Sequence, residues 1–365
     1  MVCKIVDNGS FLYSSRDLDI TDAIPNAQAL TGMSGELEAD RLVFKNFTIK
    51  EYEFVNYISI SEYRGSCRVC VSFSYSRYEN QDNYKLAERQ KTIDSVHGAV
   101  LRIFRSITGM ALSLQELKVL SLDISNQLEV ENIKNYYNVM NLIYRAYKQF
   151  NINGRLYFDT DDNQKLELDG LDFREQGKKR REANAYFKIY SKRKEIEDTK
   201  GTLKARGHRT ALRGELTLKG AMLEKYGLNL VGSIQKKPLE RVLKVVLGQT
   251  IIEGINKELV FNKDKLIKEY QEAGTKEIQE VTLINSAYIF DTAILDNALT
   301  CEVLGIGKST LCYHKKNIKE MLKSLETKGE IKRTFTGNFD RLIKLLKKIA
   351  KVNIKEKGGV IVWED

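Results

Sequence analysis

Two tyrosines stand among lysines in Tyr186-Phe187-Lys188-Ile189-Tyr190-Ser191-Lys192-Arg193-Lys194-Glu195-Ile196. Further along, Arg213-Gly214-Glu215-Leu216-Thr217-Leu218-Lys219 sets a carboxylate in a second short, apolar-alternating run. On an extended strand, side chains two apart share a face. Tyr186, Lys188, Tyr190, Lys192 and Lys194 then form one row, and Phe187 and Ile189 form the other. Phenol is a weak nucleophile at neutral pH, and neighbouring ammonium groups favour both the phenolate and the phosphate it would attack. The pattern predicts a phosphodiester chemistry with Tyr190, Tyr186 and Lys192 as catalytic groups. Lys188, Lys194 and Arg213 would contact phosphate. A tyrosyl-phosphate ester would conserve the energy of the broken bond, so the strand could later be resealed. The competing reading is a solvent-facing Lys/Tyr stripe without chemistry.

Two carboxylates belong to the same prediction. Asp123 lies in Leu120-Ser121-Leu122-Asp123-Ile124-Ser125, and Glu215 lies in the run above. An acid on an apolar-flanked strand is costly to bury unless it is paired or bound to a metal. As hard oxygen ligands, the two suit Mg²⁺ or Mn²⁺. The alternative is that each pairs with a nearby cation, Arg213 or a lysine.

Charge points to a polyanionic partner. The 365 residues carry a formal net charge of +10, and the excess is clustered. Residues 174–213 hold fourteen Lys or Arg against five Asp or Glu, and residues 308–358 hold fifteen against five. Two separate basic blocks suggest two contact surfaces for nucleic acid. Five cysteines, an odd number, without a basic-then-apolar leader, predict a reducing cytoplasm. No apolar run is long enough for a membrane span, so no membrane partner is expected. Cys67-Arg68-Val69-Cys70 has zinc-like spacing, but it runs into a strand alternation that sends the two thiols to opposite faces.

The elements that must position these groups can be read from periodicity. Strands are predicted over 41–61, Cys67–Tyr75, Leu117–Ser125, 156–158 with 166–168 as a hairpin, the segment ending near Ser191, and Ala211–Leu218. Helices are predicted over 85–107, Asn132–Phe150 and a short piece near 221–226. Residues 1–35 show no regular pattern, and 192–210 reads as a charged connector. This order predicts an α+β fold with a mostly antiparallel sheet and helices on one face. After Lys236-Lys237-Pro238 the pattern changes, and residues 238–350 read as almost wholly helical, with apolar spacing in Leu239–Val246, Lys263–Glu272 and Phe339–Ile349. Two domains are expected, 1–235 and 236–365.

The C-terminal block adds a second contact candidate. Residues 298–316 read as two helices joined by Gly305-Ile306-Gly307, a helix-turn-helix pattern. Lys308, Ser309, Thr310, Tyr313, His314, Lys315 and Lys316 would face DNA. The Gly-Lys-Ser run is not a Walker A loop, because Glu302 stands where its first glycine is required.

Taken in order, these segments resemble the replication initiators of filamentous phages and related plasmids, the gene II/X family. The likeness runs from about Val69 to the C-terminal end. It rests on Ser74-Tyr75-Ser76-Arg77, Gln81-Asp82-Asn83, Leu120-Ser121-Leu122-Asp123, Tyr190-Ser191-Lys192-Arg193-Lys194-Glu195-Ile196, Arg213-Gly214-Glu215, Leu223-Glu224-Lys225-Tyr226-Gly227-Leu228 and Gly307-Lys308-Ser309. The family has histidine where Asp82 stands, so the resemblance implies Asp82 as a further metal ligand. The first 60 residues match nothing in the family. The resemblance implies a replication-initiator nuclease that nicks one strand of a double-stranded circular replicon at its origin. It would hold the 5′ phosphate on Tyr190 and leave a 3′ end for rolling-circle synthesis. Double-stranded and single-stranded origin DNA, with host helicase and polymerase, would be its partners. The rival function is a non-catalytic helix-turn-helix regulator of replication or transcription. A third is an RNA-binding sheet with aromatics stacked on bases.

Overall fold

The structure is a computed structural model. It describes residues 6–45, 50–80, 84–86, 89–137, 139–140, 143–144, 153–160, 166–174, 183–201, 207–256, 307–313, 316, 338–357 and 360–364. The protein is α+β, with a large antiparallel sheet and helices. It divides into two compact units, residues 1–129 with 172–243, and residues 130–171 with 244–365. The segment 130–171 therefore groups with the C-terminal part, whereas a single cut near 236 was expected.

In the first unit the strands are β1 (Val6–Ser15), β2 (Glu36–Glu38), β3 (Arg41–Lys45), β4 (Val55–Tyr63), β5 (Ser66–Ser74), β6 (Lys118–Glu129), β9 (Ala185–Ser191) and β10 (Ala211–Lys219). Their order across the sheet is β2-β3-β4-β5-β1-β6-β10-β9. Each of these neighbouring pairs is antiparallel. The β4–β5 turn passes through Arg64 and Gly65, both at positive φ, as a tight hairpin requires.

One face of this sheet is apolar. Phe11, Val71, Phe73, Leu122, Ile124, Leu216, Phe187 and Ile189 are all buried. Helix α3 (Gln90–Thr108) supplies Ile93, Val96, Val100, Ile103, Phe104 and Ile107 at helical spacing. Its His97 packs edge-on to Phe11 at 5.4 Å and bonds the Tyr75 hydroxyl at 2.8 Å. Gly9 is needed beneath this cluster, because a Cβ there would stand 2.9 Å from the Phe73 ring. Helix α1 (Ile20–Thr31) contacts both α3 and β4. It starts at Asp19, whose carboxylate accepts from the Thr21 N–H, and ends at left-handed Gly32. A short α2 (Tyr75–Asn80) follows β5 directly.

Residues 1–35 are thus the main departure from the expected layout. Within them, Val6–Ser15 forms a central strand and Ile20–Thr31 a helix. The segment after β9 departs too. The chain turns into helix α4 (Lys192–Lys200) with the Ser191 hydroxyl capping the Lys194 N–H, so the strand stops at 191. After β10 come α5 (Gly220–Lys225) and α6 (Lys236–Leu243).

In the second unit, Ile133–Tyr136 is a 3₁₀ turn capped by the Asn132 side-chain oxygen, where a regular helix was expected from 132. Strands β7 (Asn153–Thr160) and β8 (Leu166–Arg174) are neighbours. A widened π-type turn at Lys244–Gln249 leads into helical 250–256. Helix α7 (Asn338–Ile349) is followed by the antiparallel hairpin β11 (Asn353–Lys357) and β12 (Val360–Glu364). The end of the chain is therefore not helical. The expected helix over Lys263–Glu272 lies outside the described residues.

Candidate active site

Register collects the predicted residues on the face opposite the apolar one. Thr217 of β10 stands opposite Asp123 of β6 and Tyr186 of β9. Glu215 stands opposite Ser125 and Lys188, and Arg213 opposite Gln127 and Tyr190. Directly opposed residues share a face. Three strands therefore present Asp123-Ser125-Gln127, Thr217-Glu215-Arg213 and Tyr186-Lys188-Tyr190 side by side. The alternation along β9 and β10 was legible as sequence, and it produces this grid.

Glu215 is the hub. Its Oε1 lies 2.6 Å from Lys188 Nζ, with side-chain exposures of 4% and 23%. Its Oε2 accepts a hydrogen bond from the Tyr190 hydroxyl at 3.1 Å. The Lys188 ammonium also lies over the Tyr190 ring, 4.5 Å from its centroid, and that of Lys192 lies at 5.9 Å. Burial would lower the Lys188 pKa, but Glu215 and then Tyr186 hold it above the ordinary lysine value. Burial, reinforced by Glu215, raises the Tyr190 phenol well above its ordinary value. This corrects the expected phenolate-favouring row. Tyr190 is a protonated phenol donating to a carboxylate, and it stays partly exposed. Tyr186 is buried at 6% exposure, and burial raises its pKa as well.

Asp123 accepts from the Thr217 hydroxyl at 2.6 Å and from the Asn8 amide at 3.1 Å. Burial first, then the Glu215 charge, lifts its pKa to about 7.

Arg213 corrects the sequence reading most sharply. A DNA contact was expected, yet its side chain is 0% exposed and its Nη1 donates to Asp7 Oδ2 at 2.9 Å. Its Nη2 donates to Gln127 Oε1 at 2.9 Å and to the Tyr84 carbonyl at 2.5 Å. It is a structural ion pair, joining strands distant in sequence. Ser76 adds a hydroxyl bond to Asp7 at 3.2 Å.

Lys192 opens α4 instead of continuing the row. It is 1% exposed and lies 2.7 Å from Glu195. Burial, then the Arg213 charge, lowers its pKa. Lys194 sits in the first turn of α4, partly exposed, so it too has left the strand face.

Asp7, Asn8, Ser125, Gln127 and Thr217 belong to this constellation but were not anticipated. Ser125 and Thr217 could have been found, because each lies two positions from Asp123 or Glu215 on a predicted strand, whereas Gln127 lies past the expected strand end at Ser125. Asp7 and Asn8 could not, because no alternation marked β1.

Asp123, Glu215 and the buried Ser125 hydroxyl, which has no hydrogen-bond partner, are oxygen ligands of the right type for a divalent cation. The position against Glu215 is nevertheless held by the Lys188 ammonium, and every oxygen of both carboxylates already accepts or pairs. Among the described residues no group of three or more His, Cys, Asp or Glu could hold a metal. Asp82 lies outside the described residues. The described site therefore does not fit a bound divalent ion.

The second predicted contact surface is in the other unit. Residues 308–313 are helical, and Lys308, Ser309, Thr310 and Tyr313 are exposed while Leu311 is buried. Lys316 is exposed as well, and His314 and Lys315 lie outside the described residues, as does 298–306. Cys67 and Cys70 are both buried, and burial raises each thiol to about 11. Among the described residues, no helix is long and apolar enough to cross a membrane. Comparison with protein-family models and with curated proteins finds no match for this chain.

Proposed function

We propose that the protein is a DNA nicking and closing enzyme that works through Tyr190, and that it initiates rolling-circle replication of a circular replicon. The observation that carries this reading is the hydrogen bond from the Tyr190 phenol to Glu215, with the Lys188 and Lys192 ammonium groups around the ring. A phenol held to a carboxylate can lose its proton as it attacks, so a free phenolate is not required. Tyr190 Oη attacks the phosphorus, and its proton passes to Glu215. The bond from phosphorus to the 3′ oxygen breaks, and that oxygen takes a proton. In this reading water at the partly exposed face supplies that proton, because Lys192 is 1% exposed and paired with Glu195. The 5′ phosphate stays on Tyr190, and the reverse sequence reseals the strand. Burial of Tyr186 favours Tyr190 over it, since a nucleophile must be reachable by the strand.

Duplex origin DNA is the proposed substrate and single-stranded DNA the displaced product, with host helicase and polymerase extending the 3′ end. The exposed row Lys308, Ser309, Thr310, Tyr313 and Lys316 supports a duplex-binding role for the C-terminal unit. It equally supports the rival reading of a non-catalytic DNA-binding regulator. Supercoiled plasmid carrying the protein's own origin region separates the two. The nickase reading expects an open-circle product lost in Tyr190→Phe and kept in Tyr186→Phe. Origin binding without any nicking by the wild type would leave the regulator.

A further inference from the structure

A lysine ammonium is paired with Glu215, one of the two carboxylates of the site. Lys188 Nζ lies 2.6 Å from Glu215 Oε1, and it shares the face that carries Asp123, Ser125 and Thr217. The position is lined by oxygen. Besides the two carboxylates, the Ser125 hydroxyl is wholly buried and without a hydrogen-bond partner, on the residue directly opposite Glu215. Such an orphaned oxygen beside two acids has the chemistry of a hard-cation ligand.

Protein cations already pair with the surrounding acids. Arg213 pairs with Asp7, Lys188 with Glu215 and Lys192 with Glu195. A divalent ion entering here would raise the local charge by two beside a buried ammonium, and like charges at this range repel strongly.

We propose that the Lys188 ammonium is the resident cation of this site, filling the place of a divalent metal and excluding one. This deepens the nicking proposal, on which it rests for its role in the reaction. Lys188 holds the Glu215 carboxylate in place beside Tyr190, and it supplies at the phosphate the positive charge that a metal would otherwise bring. Lys188 is accordingly a positioning and charge-neutralising residue, and its removal should turn the same oxygens into a metal site.

The test uses MnCl₂ as the probe and the full chain. Bound Mn²⁺ is read from loss of the free-ion EPR signal and from the shift in melting temperature. Wild type should show neither. Lys188→Met should bind Mn²⁺ at least about tenfold more tightly than wild type, because one neighbouring charge moves such an equilibrium by roughly one to three powers of ten. Lys188→Arg, which keeps the charge, should behave as wild type, and adding Asp123→Asn to Lys188→Met should abolish the new binding. Wild type that binds Mn²⁺ as tightly as Lys188→Met overturns the proposal. Mn²⁺ bound by wild type and lost in Glu215→Gln overturns it too, and that arm stands even if Lys188→Met does not fold. Binding is read without DNA, so absence of nicking by the wild type would remove the proposed function while leaving this result to stand or fall separately.

Discussion

Replacing Asp123 by asparagine should make the fold more stable at alkaline pH and change it little in acid. Asp123 sits beside Glu215 on the site face, and burial followed by the Glu215 charge lifts its pKa from 3.8 to about 7. A tenfold change in proton affinity corresponds to about 1.4 kcal/mol, so the full cost of ionising Asp123 in the folded state is at most about 4 kcal/mol. The residue keeps partial exposure, and solvent screening reduces the expected figure to about 2 kcal/mol. The sign follows from proton counting. Between about pH 4 and 7 the folded protein retains a proton that the unfolded chain has released, so stability falls as pH rises through that window. Above it, both states are ionised and the cost is complete. Asparagine removes this charge while keeping the Thr217 hydroxyl bond, now 2.6 Å, and the Asn8 amide need only turn its oxygen toward the new amide nitrogen. Urea unfolding of wild type and Asp123→Asn across the window measures the effect. The difference should grow from near zero at about pH 4 to about 2 kcal/mol in favour of the variant at pH 8. A difference that stays constant, or widens toward acid, would refute the rise assigned to burial of Asp123 beside Glu215.

Two further outcomes follow from the buried groups. Arg213→Met leaves the buried Asp7 carboxylate without its ion-pair partner and should cost about 3–5 kcal/mol in denaturant unfolding, whereas the double variant with Asp7→Asn should recover a good part of that loss. Equal destabilisation by the single and double variants would contradict the pairing. Native-state alkylation followed by peptide mapping should modify exposed Cys312 well before Cys67 or Cys70, whose buried thiols are pushed up to about 11. Early labelling of either buried cysteine would show that the β5 face is open.

What was legible in the chain followed how cleanly each element repeats. β5 alternates without interruption from Cys67, α3 carries six apolar residues at helical spacing, and β9 and β10 alternate strictly, so all four emerge from pattern alone. β1 does not. Asn8-Gly9-Ser10 interrupts its apolar positions, and Gly9 is there for its close approach to Phe73, a tertiary reason that leaves no local signature. α1 is obscured by Pro25 inside it and by a buried side of only Ala23, Ala27 and Thr31. α4 reads as a charged connector because Ile196 is its one buried apolar residue, yet Ser191 before Lys192 was an available capping signal. The site shows the same division. Tyr186, Lys188 and Tyr190 share a face because period two requires it. The fate of Arg213 depends on Asp7, 206 residues away in the chain. A long-range ion pair of that kind has no periodicity to read.

The most direct test of the central claim is the identity of the residue that becomes joined to DNA. A single-stranded oligonucleotide containing the protein's own origin is incubated with the enzyme. The adduct is trapped by denaturation, digested with nuclease and protease, and sequenced by tandem mass spectrometry. Tyrosyl transfer from Glu215-bound Tyr190 predicts a 5′-linked nucleotide on Tyr190 itself, absent from Tyr190→Phe. A nucleotide on any other residue, or strand cleavage with no protein-linked intermediate, would contradict it.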